Sequence, residues 1–365
     1  MKVRLGDICT VVSGSTPKTN NPAFWDGDIN WITPAELDDT TIIINESQRK
    51  ITEEGVRSCG LTEMPAGTVI LSSRAPIGKT AIAGVPMYCN QGFKNLICSD
   101  RIYNRYLYWF LRENTEYLQS LGRGATFKEI SKKIVEEIEI PLPPLNLQKE
   151  IANSLDRIND LIALHTRQLT KLDELVKARF VEMFGDPITN PMGWEKVRFD
   201  TLCENLDSRR VPITSADRKS GIYPYYGASG IVDYVDDYIF DEDILLISED
   251  GANLVMRSTP VAFSVSGKAW VNNHAHVVKF NEMATQKYIE VAFSIIDISE
   301  YITGSAQPKF NQAMLNSMLF CKPTIGLQRQ FLTFISQVDK SKESVRRGLD
   351  KLETLKKALM QEYFG

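Results

Sequence analysis

Arginine, lysine, asparagine and glutamine recur on turn-rich loops in both halves of this chain. In the first half they are Lys18 and Asn20, Arg74 and Lys79, Asn90 and Gln91, and Arg123 and Lys128. In the second they are Arg209 and Arg210, Lys268, Asn272 and Asn273, and Gln307 and Lys309. These side chains suit the edges of nucleic-acid bases: the Arg fork matches guanine, and Asn or Gln amides match adenine. For any one residue plain solvation is as good an account, but as a set on matching loops they favour binding. Catalytic patterns are missing. There is no phosphate-cradling Gly-x-x-x-x-Gly-Lys-Ser/Thr loop and no Gly-x-Gly-x-x-Gly entering a helix. Gly185-Asp186-Pro187-Ile188 is not the Asp-Pro-Pro-Tyr type of sequence that marks an amino-methyltransferase. The only histidines are His165, His274 and His276. The last two alternate on an expected strand, so both should face one side. With no nearby Cys and no third ligand they are assigned no metal, and a structural or nucleic-acid-facing role is expected.

The loops need elements to hold them. The first half reads as α/β: a strand from Val3 to Val12, the turn-rich loop Ser13 to Pro22, and an aromatic segment holding Trp25 and Trp31. Both tryptophans are expected in the core rather than stacked on a ligand. A buried strand at Gly67 to Leu71 leads into the Arg74 loop, a helix is expected from Ile102 to Ser120, and a strand from Val135 to Ile140. The second half restarts: Lys196-Val197-Arg198-Phe199 echoes Lys2-Val3-Arg4-Leu5, and Cys203 echoes Cys9. A strand at Ile244 to Ile247 precedes the acidic turn Glu249-Asp250-Gly251, and a helix is expected from Gln286 to Ser294. Gly304 to Phe310 takes the place of the Gly-rich loop Gly122 to Lys128. The expected division is 1–144, 145–185, 186–325 and 326–365, or domain, helix, domain, helix. A period this long is a whole-domain duplication and not a solenoid.

The two helical segments are themselves a repeat. Gln148 to Gly185, shifted by 180 positions without a gap, lies on Gln328 to Gly365. Ile151, Leu155, Ile158, Ile162, Leu169, Leu172, Val176 and Met183 step by fours and threes, as do Phe331, Ile335, Val338, Val345, Leu349, Leu352, Leu359 and Tyr363. That is a coiled-coil seam, narrower than the stripe of a globular helix. A helix of roughly 38 residues, about 55 Å at 1.5 Å per residue, needs a partner along that seam, and its own repeat is the obvious one. Chain order makes the pair antiparallel, with Gly365 expected near Met1. Asn146 and Gly326 are the expected N-caps after the proline break, and Gly185 before Pro187 is the expected stop. The polar seam positions His165, Arg179, Lys342 and Lys356 have two readings: they snorkel to solvent, or they fix register.

The net charge of −4 argues against strong unaided binding to nucleic acid, because the phosphate term depends on clustered cations. No apolar run approaches membrane-spanning length, Met1-Lys2-Val3-Arg4 opens no signal-peptide core, and no membrane partner is expected. Six scattered cysteines without zinc-finger spacing suggest a reducing cytoplasm.

In this order the motifs resemble the specificity subunit of a type I restriction-modification system. The resemblance spans essentially the whole chain. It is carried by Thr16-Pro17-Lys18 with Phe24-Trp25-x-Gly27 and Trp31-Ile32-Thr33, by Arg74-Ala75-Pro76-Ile77-Gly78, and by Ile140-Pro141-Leu142-Pro143-Pro144 before Gln148. In the second half it rests on Tyr223-Pro224-x-Tyr226-Gly227, on Trp270 to His276, and on Gly304-x-x-Gln307-Pro308-Lys309. The sequence departs from the family where the second proline break is reduced to Pro323, and where Gln-Arg-Gln at 328–330 lacks the usual acid before the Gln. The resemblance implies two α/β target-recognition domains joined by two long antiparallel coiled-coil helices, with an internal pseudo-two-fold. It implies double-stranded DNA as ligand, two methyltransferase subunits and restriction/translocase subunits as partners, and no catalysis by this chain. S-adenosylmethionine, ATP and Mg would belong to those partners, and no cofactor to this chain. A coiled-coil scaffold linking two domains for some other, non-DNA ligand is the alternative.

Overall fold

The computed structural model describes residues 2–38, 41–124, 128–304 and 307–365. Met1 and parts of the two Gly-rich loops, 125–127 and 305–306, lie outside the described residues. By its contacts the chain divides into two units, Met1–Leu164 with Gly348–Gly365, and His165–Arg347. Each long helix is therefore shared between units, whereas the sequence division treats it as a separate segment.

In the first unit a five-stranded sheet runs in the order Cys9–Ser13, Lys94–Cys98, Val69–Leu71, Thr80–Ala83, Ile43–Ile44. A three-stranded sheet orders Arg49–Ile51, Trp25–Ile32 and Tyr88–Cys89. Trp25 and Trp31 are buried edge-to-face with ring centroids 5.1 Å apart, and the Arg49 guanidinium covers Trp25. Three local expectations change. The first strand breaks into Lys2–Arg4 and Cys9–Ser13, because a 3₁₀ turn at Leu5–Asp7 buries Leu5 between them. The expected helix 102–120 is two, Asn104–Glu113 and Thr115–Ser120, broken where the Asn114 side chain donates to Phe110 O. The segment expected as a strand from Val135 opens instead as the helix Lys132–Glu137. Ser131 caps it by accepting from Ile134 N at 3.3 Å, and only Glu139–Pro141 is strand, paired with Lys2–Arg4.

The second unit repeats the plan. One four-stranded sheet orders Glu204–Asn205, Ala275–Lys279, Ile244–Ser248 and Ala262–Val265; another orders Gly230–Val235, Ser220–Gly227, Lys268–Val271 and Phe240–Asp241. Met283–Ile295 is the helix expected near Gln286. The pair Lys196–Arg198 and Leu319–Cys321 closes the unit as Lys2–Arg4 and Glu139–Pro141 close the first.

The long helices span Leu145–Phe184 and Ile325–Phe364, 40 residues each. Their caps differ from expectation. Asn146 and Gly326 lie inside the first turn, and the carbonyls of Pro144 and Thr324 receive the first helical bonds, from Gln148 N and Gln328 N. Gly185 ends the first helix at φ +78°, its N–H bonded to Val181 O. Every seam residue named from the sequence is buried or half-buried, with mostly exposed residues between them. In the first unit Asn159 Oδ1 accepts from Lys356 Nζ at 2.8 Å, and Ile151 and Leu155 share a core with Met360 and Phe364. In the second unit Lys342 Nζ lies 2.6 Å from Asp173 Oδ1, and Val176 and Phe180 share a core with Phe331 and Ile335. Both pairings are antiparallel. Lys342 and Lys356 bond across the helix pair, which is the register reading of the polar seam positions.

Gln148 ties the first helix to its domain. Its amide donates to Arg101 O and Pro143 O and accepts from Tyr103 N, all at 2.8–3.0 Å, and the residue is fully buried. Gln148→Met keeps the volume and strands three backbone groups. A loss of about 3 kcal/mol is expected, read by urea unfolding of the full chain. Stability within 1 kcal/mol of the parent would contradict it.

Candidate nucleic-acid interface

In the first unit four loops close on one another. Ser15 N donates to Cys89 O at 3.0 Å, and the Thr16 hydroxyl donates to Gln91 Oε1. Ser73 N donates to Gly92 O at 2.8 Å, Ile130 N donates to Ser73 O, and Arg123 and Glu129 exchange both backbone bonds at 3.0 Å. The approach of the first loop requires glycine: a Cβ on Gly14 would stand 2.2 Å from the carbonyl oxygens of Cys89 and Asn90. On this surface Lys18, Asn20, Gln91, Arg123 and Lys128 are exposed. Arg74 is half-exposed, its NH1 only loosely paired at 4.0 Å from Glu129. Buried Lys94 holds Glu129 more tightly, at 3.0 Å. Two nominated residues turn inward. Lys79 Nζ donates to Leu37 O at 2.6 Å, and Asn90 Oδ1 accepts from Gly92 N, fixing the turn that presents Gln91.

The second unit reproduces the bonds of the Ser73, Gly92 and Arg123–Glu129 loops with other side chains. Glu249 N donates to His274 O, Phe310 N to Glu249 O, and Thr303 and Lys309 exchange backbone bonds. Asn272 Oδ1 accepts from His274 N at 2.8 Å, the same turn that Asn90 makes. Asn273, His274, Gln307 and Lys309 are exposed beside it. Asn272, Arg209 and Arg210 are occupied structurally. Arg209 bonds Glu242 Oε1 and Ile239 O and covers the Phe240 ring. Lys268 sits at the far end of its strand from Asn272, over the Tyr238 ring at 4.5 Å.

The two histidines do not face one side. His274 precedes the strand Ala275–Lys279, so strand alternation does not govern it. It is exposed, with Nδ1 2.8 Å from Asp250 Oδ2. His276 is buried, with Nδ1 2.7 Å from Asp207 Oδ2 and Nε2 2.8 Å from Phe310 O. Asp207, Glu249 and His276 gather ligand atoms within 4.8 Å of one another, as a metal site would. The Arg210 guanidinium already fills the cation's place, bonding Glu249 Oε2 at 2.5 Å and lying 3.5 Å from Asp207 Oδ2. The donor set fits an internal ion network better than a bound metal.

Burial pushes the Asp207 carboxyl up, but the His276 bond and charge, Val277 N–H and Arg210 outweigh it and hold Asp207 below the ordinary value. A carboxylate whose folded pKa is lowered stabilises fully above its unfolded value, about 3.9, and loses that contribution as pH falls through the folded value. Asp207→Asn is therefore expected to start less stable than the parent and to lose stability less steeply below about pH 4, because the Asp207 share of the acid dependence is gone. Parallel acid titrations of the two by circular dichroism check this, and equal slopes would oppose it.

Sequence reasoning nominated cations and amides and missed their acidic partners, Glu129, Asp207 and Asp250. The only available signals were Asp207 preceding Ser208-Arg209-Arg210 and the turn at Glu249-Asp250. Among the described residues no helix is long and apolar enough to cross a membrane, and all six cysteines are free thiols.

Two homologous α/β units, each presenting a cluster of polar loops and sharing a pair of long helices, define a duplicated macromolecule-recognition protein. The type I restriction modification DNA specificity domain matches residues 1–174 and again 191–354, and the chain belongs to this family of specificity subunits. The MjaIX specificity subunit of Methanocaldococcus jannaschii is 31% identical over 318 residues, covering 82% of this chain and 73% of that one. The EcoprrI specificity subunit of Escherichia coli is 24% identical over 361 residues, covering 93% and 88%. The S subunit structure from M. genitalium superposes with a TM-score of 0.63 at 14% identity, covering 100% and 96%. A structure described for assembly and conformational transition of the type I R-M system gives 0.61 at 16%, covering 100% and 97%.

Proposed function

We propose that each unit reads one half of a bipartite double-stranded DNA site, and that the two helices set the spacer between the halves. The observation that carries this is the repeated loop cluster: the same backbone bonds hold different side chains in the two units, as two unlike half-sites require. The helices also dock two methyltransferase subunits, with restriction/translocase subunits joining them. Leu161, Leu164, Leu175, Val181 and Leu355 support that role, standing exposed on the helix faces away from the seam. This chain supplies recognition and no catalysis; S-adenosylmethionine, ATP and Mg act on the partners. Family membership leaves the non-DNA scaffold without support.

The test is co-expression of the full chain with its methyltransferase subunit, followed by sequencing for methylated adenine. A bipartite motif with one methylated adenine on each strand is expected. A continuous motif, or none, would sink the proposal. With a net charge of −4, the chain alone should bind DNA weakly and lose that binding steeply with salt.

A further inference from the structure

The matching backbone bonds align particular residues of the two units. Ser73 N donates to Gly92 O and Ser73 O accepts from Ile130 N, as Glu249 N donates to His274 O and Glu249 O accepts from Phe310 N. The next residue in each loop pairs singly with the Gly-rich loop: Arg74 with Glu129, and Asp250 with Lys309. Arg74 and Asp250 thus occupy one position of the fold, and Glu129 and Lys309 another, with the charges inverted. A phosphate grip would place a cation at this position in both units, because a carboxylate is repelled by the DNA backbone. A base-reading position has no such constraint. Its chemistry changes with the base it faces.

The local contacts leave both groups usable. Glu129 is held by Lys94 at 3.0 Å, so the Arg74 fork, 4.0 Å away, is free to turn outward. Asp250 is oriented by His274 Nδ1, at 2.8 and 3.1 Å to its two oxygens, and a carboxylate has lone pairs beyond those. Arginine only donates and aspartate only accepts.

Resting on the half-site reading above, we propose that Arg74 and Asp250 are matched specificity positions. Arg74 donates to the acceptor edge of a guanine in one half-site. Asp250 accepts from the exocyclic amino group of a cytosine or adenine in the other. The two half-sites then differ in the base facing this loop.

The test uses the full chain co-expressed with its methyltransferase, comparing the parent with Arg74→Gln, Arg74→Lys and Asp250→Asn. Methylated-site sequencing and gel shifts on probes changed at single base pairs give the readout. Arg74→Gln should lower discrimination roughly 5- to 150-fold at one base pair of one half-site. Arg74→Lys, which keeps the charge but not the fork, should lose it as well, and Asp250→Asn should relax one base pair of the other half-site. In each variant the untouched half-site reports on folding. Equal weakening on all sequences, with Arg74→Lys restoring affinity on all of them alike, would mark a phosphate contact and overturn the assignment. A parent motif that neither loop variant alters would overturn this assignment alone. A parent without a bipartite motif would overturn the half-site reading and this with it.

Discussion

Removing residues 162–168 and 347–353 together should abolish methylation of the parent site and create activity at a site whose spacer is about three base pairs shorter. Seven residues shorten a helix by about 10 Å at 1.5 Å per residue, and B-DNA rises 3.4 Å per base pair along each strand. Seven is also two seam steps, so the apolar faces stay in phase. The deleted blocks lie between the two cross-helix lysine bonds, Lys356 to Asn159 and Lys342 to Asp173, and both should survive. Half-site sequences should be unchanged, since no loop residue is touched. Methylated-adenine sequencing reads both quantities, and an unaltered spacer would contradict the role given to the helices. Deleting four residues from each helix instead throws the seam out of phase and should cost folding.

Arg210→Ala is expected to destabilise the second unit by about 3–5 kcal/mol. The guanidinium bonds Glu249 Oε2 at 2.5 Å, Ala275 O at 2.8 Å and, through Nε, Asp207 O at 3.1 Å. Its side chain is 13% exposed and that of Asp207 only 9%. Truncation leaves two carboxylates beside one another with one shared histidine and no guanidinium. Removing one member of a buried ion network costs far more than the network contributes against apolar packing, because the surviving charges remain desolvated. Lysine should recover only part of the loss, since an ammonium cannot reproduce the fork. Urea unfolding should show the second unit's transition lowered and the first unit's unmoved. The turn carrying Asn273 and His274 hangs on the same network, so recognition by that unit should fall as well. A change under 1 kcal/mol would oppose this account.

The long helices, their seam and their pairing were legible in the sequence because hydrophobic periodicity is a local property repeated over 40 residues. Phe180, Phe184, Met360 and Phe364 were not in the expected seam, although they are buried. They face the domain helices: Phe364 lies against Tyr106 and Phe110, and Phe184 against Tyr288. A seam drawn for two helices does not anticipate a third packing partner. The strand expected from Val135 to Ile140 overlaps the last turn of the helix Lys132–Glu137, which the Ser131 cap begins.

For the candidate site the sequence determined which loops carry base-competent side chains and that they come in two sets, since residue type and duplication are one-dimensional facts. Which of those side chains are free was decided only by tertiary structure. Lys79 is held by Leu37 O, 42 positions away, and Arg210 by Ala275 O, 65 positions away. No local pattern records partners at such separations. The equivalence of Arg74 with Asp250 has the same origin. Hydrogen bonds between loops distant along the chain define it, and side-chain identity, with opposite charges at the two positions, conceals it.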